Sequence, residues 1–164
     1  MNWHPLNINL PWGEVEEGLG KPLPEDYKRV AEVFGKGEFS EFLQVPSVDD
    51  VGHLDLARTW RKYLDGSPQD GPDLMLEPYE IYRPGRRGLI PWGYGERRCG
   101  YFWLASAEDD PASWPVVTRG ELYPWHQVDM RTSEFIYRIL TDPDFEPLSI
   151  ARLFPEPDFF PTIQ

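Results

Sequence analysis

A single cysteine, Cys99, stands in the 164-residue chain, so no intramolecular disulfide can form and a reducing compartment is the natural expectation. No run approaches the about 20 apolar residues that a membrane helix needs, and Met1-Asn2-Trp3-His4-Pro5 has neither the basic nor the apolar segment of a secretion signal. These absences lead to the expectation of a soluble cytoplasmic protein with no membrane partner. Cations are scarce too: 16 Lys and Arg against 28 Asp and Glu give a net charge of −12 and a pI near 4.6. Phosphate binding needs Lys and Arg to displace counterions, so no nucleic-acid partner is expected. A basic protein is the partner that such a surface favours, although charge of this size also serves solubility.

Chemistry-bearing motifs are missing as well. There is no G-x-S-x-G elbow, H-E-x-x-H pair, C-x-x-C or phosphate-binding G-x-x-x-x-G-K-[ST] loop. Gly93-Tyr94-Gly95 begins like a dinucleotide fingerprint, but the third Gly is absent and a strand follows, so a hairpin turn is the better reading. His4, His53 and His126 lie far apart with no neighbour at ligand spacing, and no metal or cofactor is expected. Cys99 has only Arg97 and Arg98 nearby as activators and sits in an expected strand, where a buried structural role is usual. The carboxylate groups Glu16 and Glu17, Asp49 and Asp50, and Glu108, Asp109 and Asp110 read as solvated surface without a cleft to hold them. No catalytic residue is assigned.

What is present is a dense aromatic centre. Leu89-Ile90-Pro91-Trp92-Gly93-Tyr94-Gly95, Cys99-Gly100-Tyr101-Phe102-Trp103-Leu104 and Trp114-Pro115-Val116-Val117-Thr118 are three strand-like runs separated by charged turns, the pattern of an antiparallel meander. The middle run is apolar at both parities, which calls for cover on both faces and a central place in the sheet. Trp92, Trp103, Trp114 and Trp125 recur at intervals of eleven, one Trp per strand.

The surrounding chain predicts covering elements. An irregular arm over residues 1–10 precedes a short helix from Trp12 to Leu19, ended by Gly20 and Pro22. A second helix starts with Pro24 at its first position and Glu25 and Asp26 in its first turn; Tyr27, Val30, Ala31 and Phe34 form the sheet-facing row, and Gly35 caps its end. One strand is expected over Phe39–Val45. A longer helix is expected from Val48 to Leu64, capped by Ser47 or Asp49, and a further short strand over Pro78–Tyr82. A last extended segment at Tyr123–Asp129, with Pro124 favouring an edge, leads to a helix from about Ser133 capped by Thr132 or Asp129 and closed by Asp142-Pro143. Residues 141–164 interleave Pro with Phe145, Phe154, Phe159 and Phe160 and read as a tail packed on the body, the alternative being an exposed arm for a partner. Its size fits one domain that buries roughly 70% of its unfolded surface.

Leu23-Pro24-Glu25-Asp26-Tyr27 opening a helix that ends near Gly35, then Ile90-Pro91-Trp92-Gly93, Tyr101-Phe102-Trp103, Trp114-Pro115-Val116-Val117 and the helix carrying Ser133-Glu134-Phe135, together resemble the SUKH superfamily. That group includes the Smi/Knr-type cell-wall regulators of fungi and many bacterial immunity proteins. The likeness spans roughly Trp12 to Leu140, a core of about 12–140 within a single domain of 1–164, with 141–164 as an extension. The resemblance implies an α+β fold, a mixed and mainly antiparallel sheet with helices packed on one face, and no enzymatic activity. Pro24, Tyr27, Pro91, Trp92, Gly93, Trp103, Trp114, Pro115 and Phe135 are its structural positions. It further implies a binding module, in bacteria an immunity protein that neutralises a cognate polymorphic toxin, commonly a nuclease; the alternative is an intracellular regulatory or scaffolding module of the Smi/Knr type. For the partner face we expect Asp49, Asp50, Glu108, Asp109 and Asp110 with Trp92 and Trp114 as aromatic anchors.

Overall fold

The computed structural model describes residues 4–46, 48, 55–70, 74–96, 99–120, 124–146 and 148–162. Its centre is the expected meander: β3 (Gly88–Gly95), β4 (Cys99–Ala105) and β5 (Val116–Arg119) pair antiparallel in chain order. Four three-residue strands extend it, β1 (Gly37–Phe39), β2 (Leu43–Val45), β6 (His126–Val128) and β7 (Phe159–Pro161), to give seven strands in the order β6-β5-β4-β3-β2-β1-β7. The ladders between these strands are antiparallel, and an isolated parallel bridge joins Ile81 to Leu89.

Pro91 lies in a central strand, where a missing N–H would break a ladder. Two features accommodate it. The register with β4 shifts between Pro91, opposite Phe102, and Gly93, opposite Tyr101, and the β2 ladder reaches only Tyr94 and Gly95.

Side chains of paired residues share a face, so the register sorts the core into two layers. Tyr101 and Trp103 face α2 (Glu25–Phe34) and α4 (Thr132–Thr141): Tyr27 meets Trp103 edge-on at 4.8 Å, and Phe135 meets Tyr101 at 5.9 Å. Phe102 and Leu104 face the other way, where Tyr63 of α3 (Leu56–Gly66) packs against Phe102 at 5.9 Å and Trp125 at 5.7 Å. All four β4 side chains are buried, which is why that strand carries no polar alternation. The class is thus α+β, with α3 crossing the face opposite α2 and α4. The first helix, α1 (Trp12–Leu19), lies beside α2 through Trp12, whose indole N–H donates to Glu32 Oε1.

Several boundaries differ from the expectations. The single strand over Phe39–Val45 is a hairpin: Ser40 and Glu41 both have positive φ, 52° and 54°, and Phe42 N–H donates to the Phe39 carbonyl. Neither residue favours that conformation, and what holds it is tertiary, the Ser40 N–H donating to the Asp158 carbonyl at 2.8 Å. Helix α3 begins at Leu56 rather than Val48, because Asp55 is the cap, its carboxylate accepting from Arg58 N–H at 2.7 Å. Ser47 and Asp49 lie outside the described residues. Pro24 is the N-cap of α2 instead of its first residue. Neither Thr132 nor Asp129 caps α4: Asp26, from α2, accepts the Ser133 N–H at 2.7 Å, while the Thr132 hydroxyl accepts the Trp103 indole N–H. Pro78–Tyr82 forms only the Ile81 bridge, its backbone running so close to β3 that a Cβ on Gly88 would stand 2.6 Å from Tyr82 Cα.

The tail returns across the molecule. Ile150 and Ala151 donate to the Ile139 carbonyl, and β7 then pairs with β1 at the sheet edge, placing Phe159 among Phe34 and Phe39 with ring centroids 4.7–5.1 Å apart.

Candidate functional site

The aromatic centre is structural. Trp92 touches Tyr27, Tyr101, Trp103 and Phe135 and has no exposed surface; Trp114, 3% exposed, packs against Trp103. Neither can anchor a partner, a correction to the expected face. Trp is common at interfaces, but it is as common where a sheet needs a large core filler, and sequence parity cannot separate the two uses. Both buried indole N–H groups lack a protein acceptor.

The other motif positions serve the same core. Tyr27 donates its hydroxyl to the Pro46 and Trp92 carbonyls, at 3.2 and 3.4 Å, and burial with the Asp55 charge pushes its pKa up, so it stays a donor. Pro24 closes the loop before α2, Pro91 and Gly93 flank the bulge, and the Pro115 carbonyl accepts from Leu104 N–H. Glu16 is a tie rather than an acid: it accepts from Leu23 N–H at 2.8 Å and from Lys28 Nζ at 2.9 Å. Burial lowers the Lys28 pKa, but hydrogen bonds to Glu25 and Glu16 outweigh it and leave the ammonium above its ordinary value.

Of the histidines, His4 is exposed, His126 is half-buried in β6, and His53 lies outside the described residues. Cys99 is half-buried at the start of β4. Among the described residues no three His, Cys, Asp or Glu come together as metal ligands. No described helix is long and apolar enough to cross a membrane.

The acidic positions divide in two. Asp49 and Asp50 lie outside the described residues. Glu108, Asp109 and Asp110 are exposed on the β4–β5 connection. Local chemistry shapes that loop: Ser106 Oγ accepts from Glu108 N–H, and Asp110 Oδ1 accepts from Ala112 N–H and caps the 3-10 turn Pro111–Ser113. Lys21, between α1 and α2, donates to the Asp109 carbonyl at 3.1 Å. Three carboxylates therefore project beside the acidic first turn of α2, where Glu25 is 83% exposed.

Sequence reasoning missed a second surface. Paired positions on the α3 face run Phe160, Glu38, Gln44, Tyr94, Gly100 across β7, β1, β2, β3 and β4. Tyr94 and Phe160 remain 49% and 43% exposed. The row continues through Arg119 of β5 and passes a cavity of about 50 Å³ between α3 and the sheet, lined by Gln44, Thr59, Tyr63, Pro91, Tyr94 and Phe102 among others. Tyr94 alternates with the buried Trp92, a weak signal; the return of Phe160 beside β1 left none. Compared with known proteins, the chain matches no family model, no curated protein and no solved structure.

Proposed function

We propose that this protein is a non-enzymatic binding module for a basic protein partner, and that in a bacterial setting it acts as an immunity protein that occludes a cognate toxin, of nuclease type. The observation that carries this reading is the Glu108–Asp110 loop, three exposed carboxylates on a tethered connection in a chain of net charge −12. A nuclease must present cations to its phosphate substrate, and an acidic surface competes for them. Charges at such a rim act chiefly on encounter, raising association rates that fall with salt. The SUKH resemblance of the sequence supports the immunity role; the same resemblance supports a regulatory module when the partner is a cellular protein.

The test is copurification of the tagged protein with the product of the adjacent gene, followed by binding kinetics. A stoichiometric complex is expected, with association slowed about tenfold by the triple change Glu108→Gln, Asp109→Asn, Asp110→Asn and by raised salt. Folding stability of that variant should stay within about 0.5 kcal/mol of the parent, since the side chains are exposed. Association indifferent to both the variant and salt would remove the acidic loop from the interface.

A further inference from the structure

The seventh strand is fastened at one point. β7 lies at the edge of the sheet and pairs with β1, Phe159 opposite Phe39, Phe160 opposite Glu38 and Pro161 opposite Gly37. Phe159 is its single buried side chain, set between Phe34 and Phe39 with ring centroids 5.1 and 4.8 Å away. Gly37 leaves the floor of that slot bare, since a Cβ there would stand 2.4 Å from the Phe159 ring. Backbone bonds close both ends: Ser40 N–H donates to the Asp158 carbonyl at 2.8 Å, and Thr162 N–H to the Lys36 carbonyl at 2.9 Å. The slot therefore recognises an extended segment carrying one aromatic ring, by main-chain pairing along an edge and a pocket for one side chain. None of these contacts depends on which copy of the chain supplies the segment.

The linker decides the donor. The chain is tied to α4 as far as Phe154, through Ile150 and Ala151 on the Ile139 carbonyl and Leu153 and Phe154 on the Ile150 carbonyl. From there Pro155, Glu156 and Pro157 lead to Asp158, and no described residue hydrogen-bonds to any of the three. The chain bends at Pro155 and Glu156 to lay β7 on its own β1. Two prolines within three residues oppose that bend: each fixes its own φ, and each biases the residue before it, Phe154 and Glu156, to extended backbone. We propose that the slot formed by Phe34, Gly37 and Phe39 is a docking site for β7 of a second copy of this chain, exchanged reciprocally across a twofold axis. Exchange straightens the linker and keeps every Phe159 contact, and the interface is self-complementary because each copy gives and receives the same strand. The four peptide steps from Phe154 to Asp158 span at most about 14 Å, so the end of α4 in one copy sits beside β1 of the other. This surface owes nothing to charge and stands apart from the Glu108–Asp110 loop and its proposed partner.

The experiment mixes two full-chain variants, Glu38→Cys and Phe160→Cys, in a glutathione buffer and identifies the disulfide-linked peptides by mass spectrometry. Directly opposed residues of paired strands stand within disulfide reach, so a link between the two different introduced thiols reports β7 of one copy on β1 of the other. That mixed link should outnumber links between like thiols about tenfold, and it should grow with concentration up to about 1 mM, the effective concentration that a short linker gives a strand within its own chain. A chain carrying both changes, which closes the same link on itself at high dilution, sets the yield of a fully paired β1 and β7. Adding Pro155→Gly and Pro157→Gly frees the bend and should lower the mixed link about threefold. A mixed link no commoner than the like ones would overturn the exchange. A link undiminished by the glycines would overturn the role given to the prolines. If the capped peptide Pro-Glu-Pro-Asp-Phe-Phe-Pro-Thr shifts the Glu38 amide of the parent chain in NMR spectra while the variant chains stay unlinked, the slot belongs to a strand of another protein and the second copy is overturned.

Discussion

The two halves of the sheet are built on different principles. On one side of β3, the strands β4, β5 and β6 follow in chain order, and both faces of β4 are buried. On the other side, β2, β1 and β7 have three residues each, Glu38 and Gln44 are half-buried with Phe160 exposed, and the outermost strand arrives from about 120 residues away in sequence. Local order needs little loop-closure entropy and is written in local pattern; the second half depends on a distant segment to complete it. Both halves contribute to the core, since Phe39, Leu43, Val45 and Phe159 are buried like the side chains of β4.

The largest effect should come from breaking the meander half. Trp103→Ala removes a fully buried indole and orphans the Thr132 hydroxyl, and should cost about 3–5 kcal/mol in urea unfolding, enough to threaten the fold. A loss below about 1 kcal/mol would show that the aromatic layer repacks and does not organise the core. Next is Phe159→Ala, which empties the cluster with Phe34 and Phe39 at the sheet edge. Its cost should be about 3 kcal/mol, and hydrogen exchange should accelerate in β1 and β2 while β4 and β5 stay protected. Equal acceleration everywhere would erase the distinction between the halves.

Gly37→Ala tests the same seam more gently. A Cβ there would lie 2.5 Å from the Phe160 carbonyl and 2.4 Å from the Phe159 ring, so β7 must shift, at a cost of about 1–3 kcal/mol. Unchanged stability would mean that β7 is loosely held. The smallest effect concerns Asp142, where the tail leaves α4. The Asp144 N–H and then Arg138 hold its carboxyl below the ordinary value of 3.8. A depressed folded pKa stabilises above the unfolded value and ceases to as pH falls through the folded one. Asp142→Asn should therefore be slightly less stable than the parent at neutral pH, and the gap should close as pH drops below about 3.9. A gap that persists there would place the effect in packing.

Legibility follows the same division. The meander, α1, the body of α2, the edge position of β6 and the apolar row of α4 were readable because each is a local period in hydrophobicity. Caps were read less well, since the sequence offers Ser, Thr and Asp at many places and only contact decides which is used: Asp26 caps α4 from another helix. The hairpin at Ser40 and Glu41 has the sequence pattern of one strand because Phe39, Leu43 and Val45 alternate correctly through it. The partner face was half legible. Glu108, Asp109 and Asp110 are exposed as a run of charge in a loop must be, whereas Trp92 and Trp114 are buried.

By itself, then, the sequence determined the central aromatic strands, the apolar rows of the helices and the acidic balance, because alternation, helical spacing and net charge are properties of neighbouring residues or of simple sums. Tertiary structure decided that α3 covers the second face, that the tail supplies the seventh strand, and that Tyr94 and Phe160 reach the surface while Trp92 and Trp114 do not. Those outcomes turn on which distant segment occupies a given face, and solvent exposure is settled only by what packs above a side chain.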